Sequence, residues 1–227
     1  MVRRHPLSVG WSVSGILLLM ACATGFAAAV EQQGQSLVLP TDPALVLRVD
    51  PAFKPLPALQ IPIESLTIAD RRIFVDAADK ALIRRMVIVQ YETVRSGVDF
   101  KFRYPPRPPA EFGAAAYRFG AYVYNDQAAA EKEPAKEAGI TRKLLQSRGL
   151  NVPRFFRVAR LARVADPAGA SEIIVFYMEN ADADFPNGIL PGADEDGDLS
   201  LDAAAAQLML ARLKASVVAS AAKTHGE

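Results

Sequence analysis

The chain has 227 residues, 26 basic and 25 acidic side chains, and half of its residues are apolar. This balance excludes a disordered chain and gives no global electrostatic pull toward nucleic acid or anionic membranes. The single cysteine (Cys22), the single tryptophan (Trp11) and both histidines (His5 and His225) lie near the ends. The long central region therefore lacks a disulfide, a thiol nucleophile and the histidines of a catalytic triad or zinc site.

Arg3, Arg4 and His5 precede an uncharged, mostly apolar run from Leu7 to Val30, which closes on Ala27, Ala28 and Ala29. A basic start, an apolar middle and a small-residue end predict an export signal over residues 1–29, and a periplasmic or extracellular location. Within it, Leu19-Met20-Ala21-Cys22 resembles a bacterial lipobox. That resemblance implies a shorter signal, 1–21, and a lipidated Cys22 at the start of the mature chain. Left uncleaved, the same apolar run is long enough to span a bilayer core of about 30 Å. Membrane contact is expected only through this N-terminus, if it is lipidated or retained. Without Arg3 and Arg4, 26 basic residues become 24 against 25 acidic ones. Roughly 200 residues remain, enough for one domain with a substantial core.

Residues 30–70 read as an extended, proline-marked segment. A polar tether precedes a strand-like run at 44–49, and Pro51, Pro55, Pro57 and Pro62 then keep the chain unpaired on the surface. A globular domain is expected over 71–220, with a disordered tail at 221–227. Residues 72–75 and 85–91 predict a hairpin around the turn 76–80, the second arm rich in β-branched residues. Val98, Phe100, Phe102 and Tyr104 alternate with Asp99, Lys101 and Arg103, which predicts a strand wet on one face. Another strand is expected from Tyr117 to Tyr124. A helix follows from Pro134 to Arg148, ended by Gly149. After a strand at 155–164, the run Glu172–Met178 is apolar on both faces and predicts the central strand. Ser200 then starts a closing helix reaching about Ser220. This order predicts an α+β fold, a single antiparallel sheet of about five or six strands with two helices packed on one face. No glycine-rich phosphate loop is present, which argues against a nucleotide cofactor.

Asp194-Glu195-Asp196-Gly197-Asp198-Leu199-Ser200-Leu201-Asp202 resembles the middle of an EF-hand calcium loop. The resemblance implies a weak calcium site on Asp194, Asp196, Asp198, Ser200 and Asp202, the only cofactor expected. Gly192 and Ala203 stand where two of the strongest ligands belong, so a solvated acidic loop is the other reading. Tyr104, Tyr117, Tyr122 and Tyr124 lie on expected strands and are candidates to line a ligand pocket with their hydroxyls as anchors. Arg154, Arg157, Arg160 and Arg163 recur every third residue. They would share a lipid-facing side on a helix and split between faces on a strand. Carboxylate pairs such as Glu92 with Glu111, or Glu172 with Glu179, could be posed as an acid–base couple, but nothing in the sequence brings either pair together.

The expectation is an exported envelope or periplasmic protein, a non-catalytic binding or structural module. Its partner would be a small apolar or amphipathic ligand or an envelope protein, with no nucleic acid. The alternative is a hydrolase or lyase built on carboxylates and tyrosines, without histidine, cysteine or a nucleotide cofactor.

Overall fold

The structure, a computed structural model, describes residues 30–41, 44–105, 109–194 and 197–222. In chain order its elements are β1 (Glu31–Gln33), β2 (Ser36–Leu39), β3 (Leu45–Val49), β4 (Lys54–Pro55), β5 (Leu59–Ile63), β6 (Thr67–Ala77), β7 (Ile83–Val94), β8 (Pro109–Phe112) and β9 (Ala115–Asn125). Then come α1 (Asp126–Lys132), α2 (Glu137–Ser147), β10 (Phe155–Val164), β11 (Ser171–Asn180), β12 (Leu199–Ser200), α3 (Ala203–Ser216) and β13 (Val217–Ala221).

These strands form two antiparallel sheets. The larger has nine strands in the order β12-β9-β10-β11-β7-β6-β4, with β5 also on β6 and β8 also on β9. The smaller has four, in the order β1-β2-β3-β13. The expected single sheet of five or six strands with two helices on one face is therefore overturned. The protein is mostly β, with two sheets and three α-helices among the described residues.

The large sheet is apolar on both sides because its central strands alternate between two cores. On β7, Val87, Val89 and Tyr91 face one core, while Met86 and Ile88 face the other. On β11, Ile173, Val175 and Tyr177 likewise oppose Met178. The first face is covered by the small sheet (Leu37, Leu39, Leu47, Val49, Val217) and by Met209, Leu210 and Leu213 of α3. The second is covered by α2 through Leu145, with Leu56 and Leu59 alongside. The helices thus divide between the faces, and β11 does lie at the middle of the seven-strand path.

Three local expectations change for physical reasons. The proline-marked stretch is paired: β5 runs along β6 from Leu59 opposite Arg71 to Ile63 opposite Thr67. Pro62 is tolerated because β5 lies at the margin of the sheet. The alternating run 98–104 forms no strand. Instead its Phe102 amide donates to the Gly169 carbonyl (2.8 Å), and Phe100 and Phe102 meet edge to face, so the alternation serves a covering segment. The closing helix stops at Ser216, because Val217 turns to φ −137°, ψ 123° and starts β13 on β3. The β-branched pair Val217-Val218 favours that switch over continuation of the alanine-rich helix. The helix expected at 134–148 is present as α2, and α1 precedes it, the two meeting at a turn where Gly139 abuts Pro134. A Cβ there would fall 2.5 Å from Pro134 Cα, so only glycine fits.

Candidate functional site

Between the second face of the large sheet and the α1–α2 pair lies a cavity of about 250 Å³. Its wall is apolar: Met86 and Ile88 from β7, Val158 from β10, Phe176 and Met178 from β11. Period-two alternation puts all five on this side, since their chain neighbours point into the other core. Tyr122 and Tyr124, two apart on β9, add their rings. The rim comes from α1 and α2 and the turn between them: Asp126, Ala129, Glu133, Lys136, Glu137, Ala138 and Thr141, with Arg71 reaching in from β6.

Every charge on this rim has a partner. Arg71, 6% exposed, donates to Gln90 Oε1 through Nε (2.8 Å) and Nη2 (2.6 Å), and to Thr141 Oγ1 through Nη1 (2.8 Å). It also pairs with Glu137 at 3.2 Å. Asp126 pairs with Arg142 at 2.6 Å, and Arg142 in addition donates to the carbonyls of Val152 and Pro153. Glu133 pairs with Lys136 at 2.7 Å. Burial pulls the Arg71 guanidinium below its ordinary pKa, with Glu137 opposing. Burial pushes Asp126 up against the pull of Arg142. Tyr122 is pushed up to about 12 by burial and by Asp198, and Tyr124 rises for the same reason with Asp126 adding to it. At neutral pH both phenols are therefore donors.

The same sheet face carries a second polar cluster beyond the cavity. Glu92 and Glu172 stand directly opposite each other on β7 and β11, and both are 6% exposed. Glu92 accepts from Thr67 Oγ1 and from Gln90 Nε2 (2.9 Å), which links the cluster to Arg71. Glu172 accepts from the Tyr104 hydroxyl. Burial, with Glu92 adding to it, raises Glu172 to about 7, against hydrogen bonding by Tyr104. Glu179, the other carboxylate considered for Glu172, instead takes Tyr177 and Arg212.

Of the four candidate tyrosines, Tyr122 and Tyr124 line the cavity, while Tyr104 and Tyr117 flank a separate surface recess with Arg118 and Arg163. Tyr117 belongs to the opposite core, its ring 5.5 Å from that of Phe112. The arginine series lies on a strand and splits: Arg157 pairs with Asp184, Arg160 lies over Phe176, and Arg163 over Tyr117.

In the acidic loop, the Asp198 amide donates to Asp194 Oδ1 and the Asp194 amide to the Asp198 carbonyl, which closes a tight turn. Ser200 ends β12, and Asp196, like Cys22, lies outside the described residues. Asp202 caps α3 by accepting from the Ala205 amide (2.8 Å). Replacing Asp202 with alanine is expected to cost about 1 kcal/mol in urea unfolding, with calcium leaving the loss unchanged. Among the described residues no group of three or more His, Cys, Asp or Glu could hold a metal ion. No described helix is long and apolar enough to cross a membrane.

Arg71, Asp126, Glu137 and Thr141 were missed from the sequence. Arg71 carried a signal, being charged at a position in phase with the inward Ile73 and Val75 of one strand. The helix residues carried none, because their place depends on how α2 docks. No family model, curated protein or solved structure matches this chain, so its site stands on its own chemistry.

Proposed function

We propose that this chain is an exported, non-catalytic binding module that holds a small amphipathic molecule between its large sheet and α1–α2. The observation supporting this most is the cavity itself, an apolar wall of five side chains under a polar rim whose charges are paired. Ligand sites are of this kind, concave and mainly apolar with few polar groups. Export rests on the basic, apolar and small-residue pattern of residues 1–29. No cofactor is needed for this role. Glu92 and Glu172, the closest approach to an acid–base couple, are not among the residues lining the cavity, which weighs against the hydrolase or lyase reading.

The test is the mass of the full-length gene product, expressed in an exporting bacterium and recovered from membranes and periplasm. Denatured, it should begin at Val30, or at an acylated Cys22. Under native conditions it should carry the extra mass of a small molecule. Val158→Trp, whose indole would occupy the cavity, should keep its circular dichroism and lose that mass. An unprocessed chain confined to the cytosol would overturn export. Absence of any retained mass, together with no binding of the probes described below, would overturn the binding role.

A further inference from the structure

We infer that the ligand of this cavity is uncharged and presents one hydrogen-bonding group beside the hydroxyls of Tyr122 and Tyr124. The inference rests on the binding role proposed above and narrows it to a ligand class. Burying a charge is costly unless an opposite charge meets it. Here the opposite charges are taken: Arg71 by Glu137, Lys136 by Glu133, and Asp126 by Arg142. Each charged residue lining the cavity is thus paired, so an ionic headgroup would have to break a pair to gain one.

The neutral polar groups differ. Thr141 already accepts from Arg71. Tyr122 and Tyr124 both line the cavity, and neither hydroxyl has a hydrogen-bond partner among the described residues. Two apart on β9, they stand on the same face, one strand repeat from each other. A hydroxyl, ester or amide oxygen beside them would accept from one or the other. The apolar remainder would lie on Met86, Ile88, Val158, Phe176 and Met178. An apolar cavity of roughly 150 Å³ holds benzene, so this one takes on the order of ten non-hydrogen atoms.

Nonan-1-ol, nonanoate and nonylammonium share this size and differ in the charge of the head. Calorimetric titration into the full-length processed protein at pH 7 should show nonan-1-ol binding at least ten times more tightly than either ion. The Tyr122→Phe/Tyr124→Phe protein keeps both rings, and each lost hydrogen bond removes about fivefold. Its affinity for nonan-1-ol should therefore fall about fivefold. An ion binding as tightly as the alcohol would overturn the uncharged ligand while leaving the binding role intact. Unchanged affinity in the double variant would overturn the part given to the two tyrosines. Failure of all three probes to bind wild type would overturn the ligand class, and together with no retained native mass it would overturn the binding role as well.

Discussion

Replacing Arg71 with methionine is expected to destabilise the protein by about 3–5 kcal/mol, the scale for breaking a buried charge pair from one side. Methionine fills much the same space along the chain of the side chain, so the loss is one of polar partners. Five donor contacts go at once: two to Gln90 Oε1, one to Thr141 Oγ1, one to Glu137 Oε1 and one to the Glu137 carbonyl. Gln90 is 1% exposed and Thr141 3%, so neither can turn to water for a replacement. Arg71 is also the tie between β6 and α2, and α2 forms one side of the cavity. Glu137→Gln should cost far less, about 1 kcal/mol, because the Glu137 side chain is 37% exposed and that pair is only one of the five contacts. Urea unfolding of the two variants measures the contrast. Equal and small losses would show that hydrophobic contact alone, through Leu145, seats α2.

That dependence on Arg71 shows what the sequence could and could not convey. The strands of the large sheet were legible wherever β-branched runs and tight turns coincide, as in the β6–β7 pair and in β10–β11. Their two-sided apolar character was legible in β11 as well. Of the small sheet only β3 was legible, in the run 44–49. The strands of that sheet are three to five residues long, and β13 begins 172 residues after β3 begins at Leu45, with its last pair joining Ala221 to Leu45. β3 has a near partner in β2, but β13 gains its partner only when 221 and 45 are brought together in space, and local pattern carries no trace of that. The alternating run 98–104 failed in the opposite sense, having the period of a strand and no neighbour to pair with. At the site, Tyr122 and Tyr124 were visible as aromatic residues on one face of a strand. The balanced charges around them come from α1 and α2, whose docking is a tertiary event.

The second large effect concerns Glu172 and appears as a function of pH. In the unfolded chain its carboxyl titrates near the ordinary 4.5, and in the folded protein near 7, because burial opposite Glu92 disfavours its charge. Between these values the folded state binds more protons than the unfolded one, so stability falls as pH rises. The contribution is fully present below about 4.5 and is lost through about 7, and from pH 5 to pH 8 the loss is about 2 kcal/mol. The groups facing Glu172 are Glu92, Tyr104 and Arg160, and the last two temper the rise without cancelling it. Asp76 and Asp166 act in the opposite direction. Hydrogen bonds to Arg84, Arg85 and Ser171 outweigh burial and hold their carboxyls below the ordinary range, so they lose stability only as pH falls below about 4. Maximum stability should therefore lie in weakly acidic solution, near pH 5. Glu172→Gln isolates the cause, since an amide can accept from Tyr104 and donate toward Glu92 without needing a proton. The variant should match wild type at pH 5 and exceed it by about 2 kcal/mol at pH 8 in urea unfolding. Parallel profiles for the two proteins would mean that Glu172 is ionised throughout, with Glu92 and the covering segment of Tyr104 accommodating both charges.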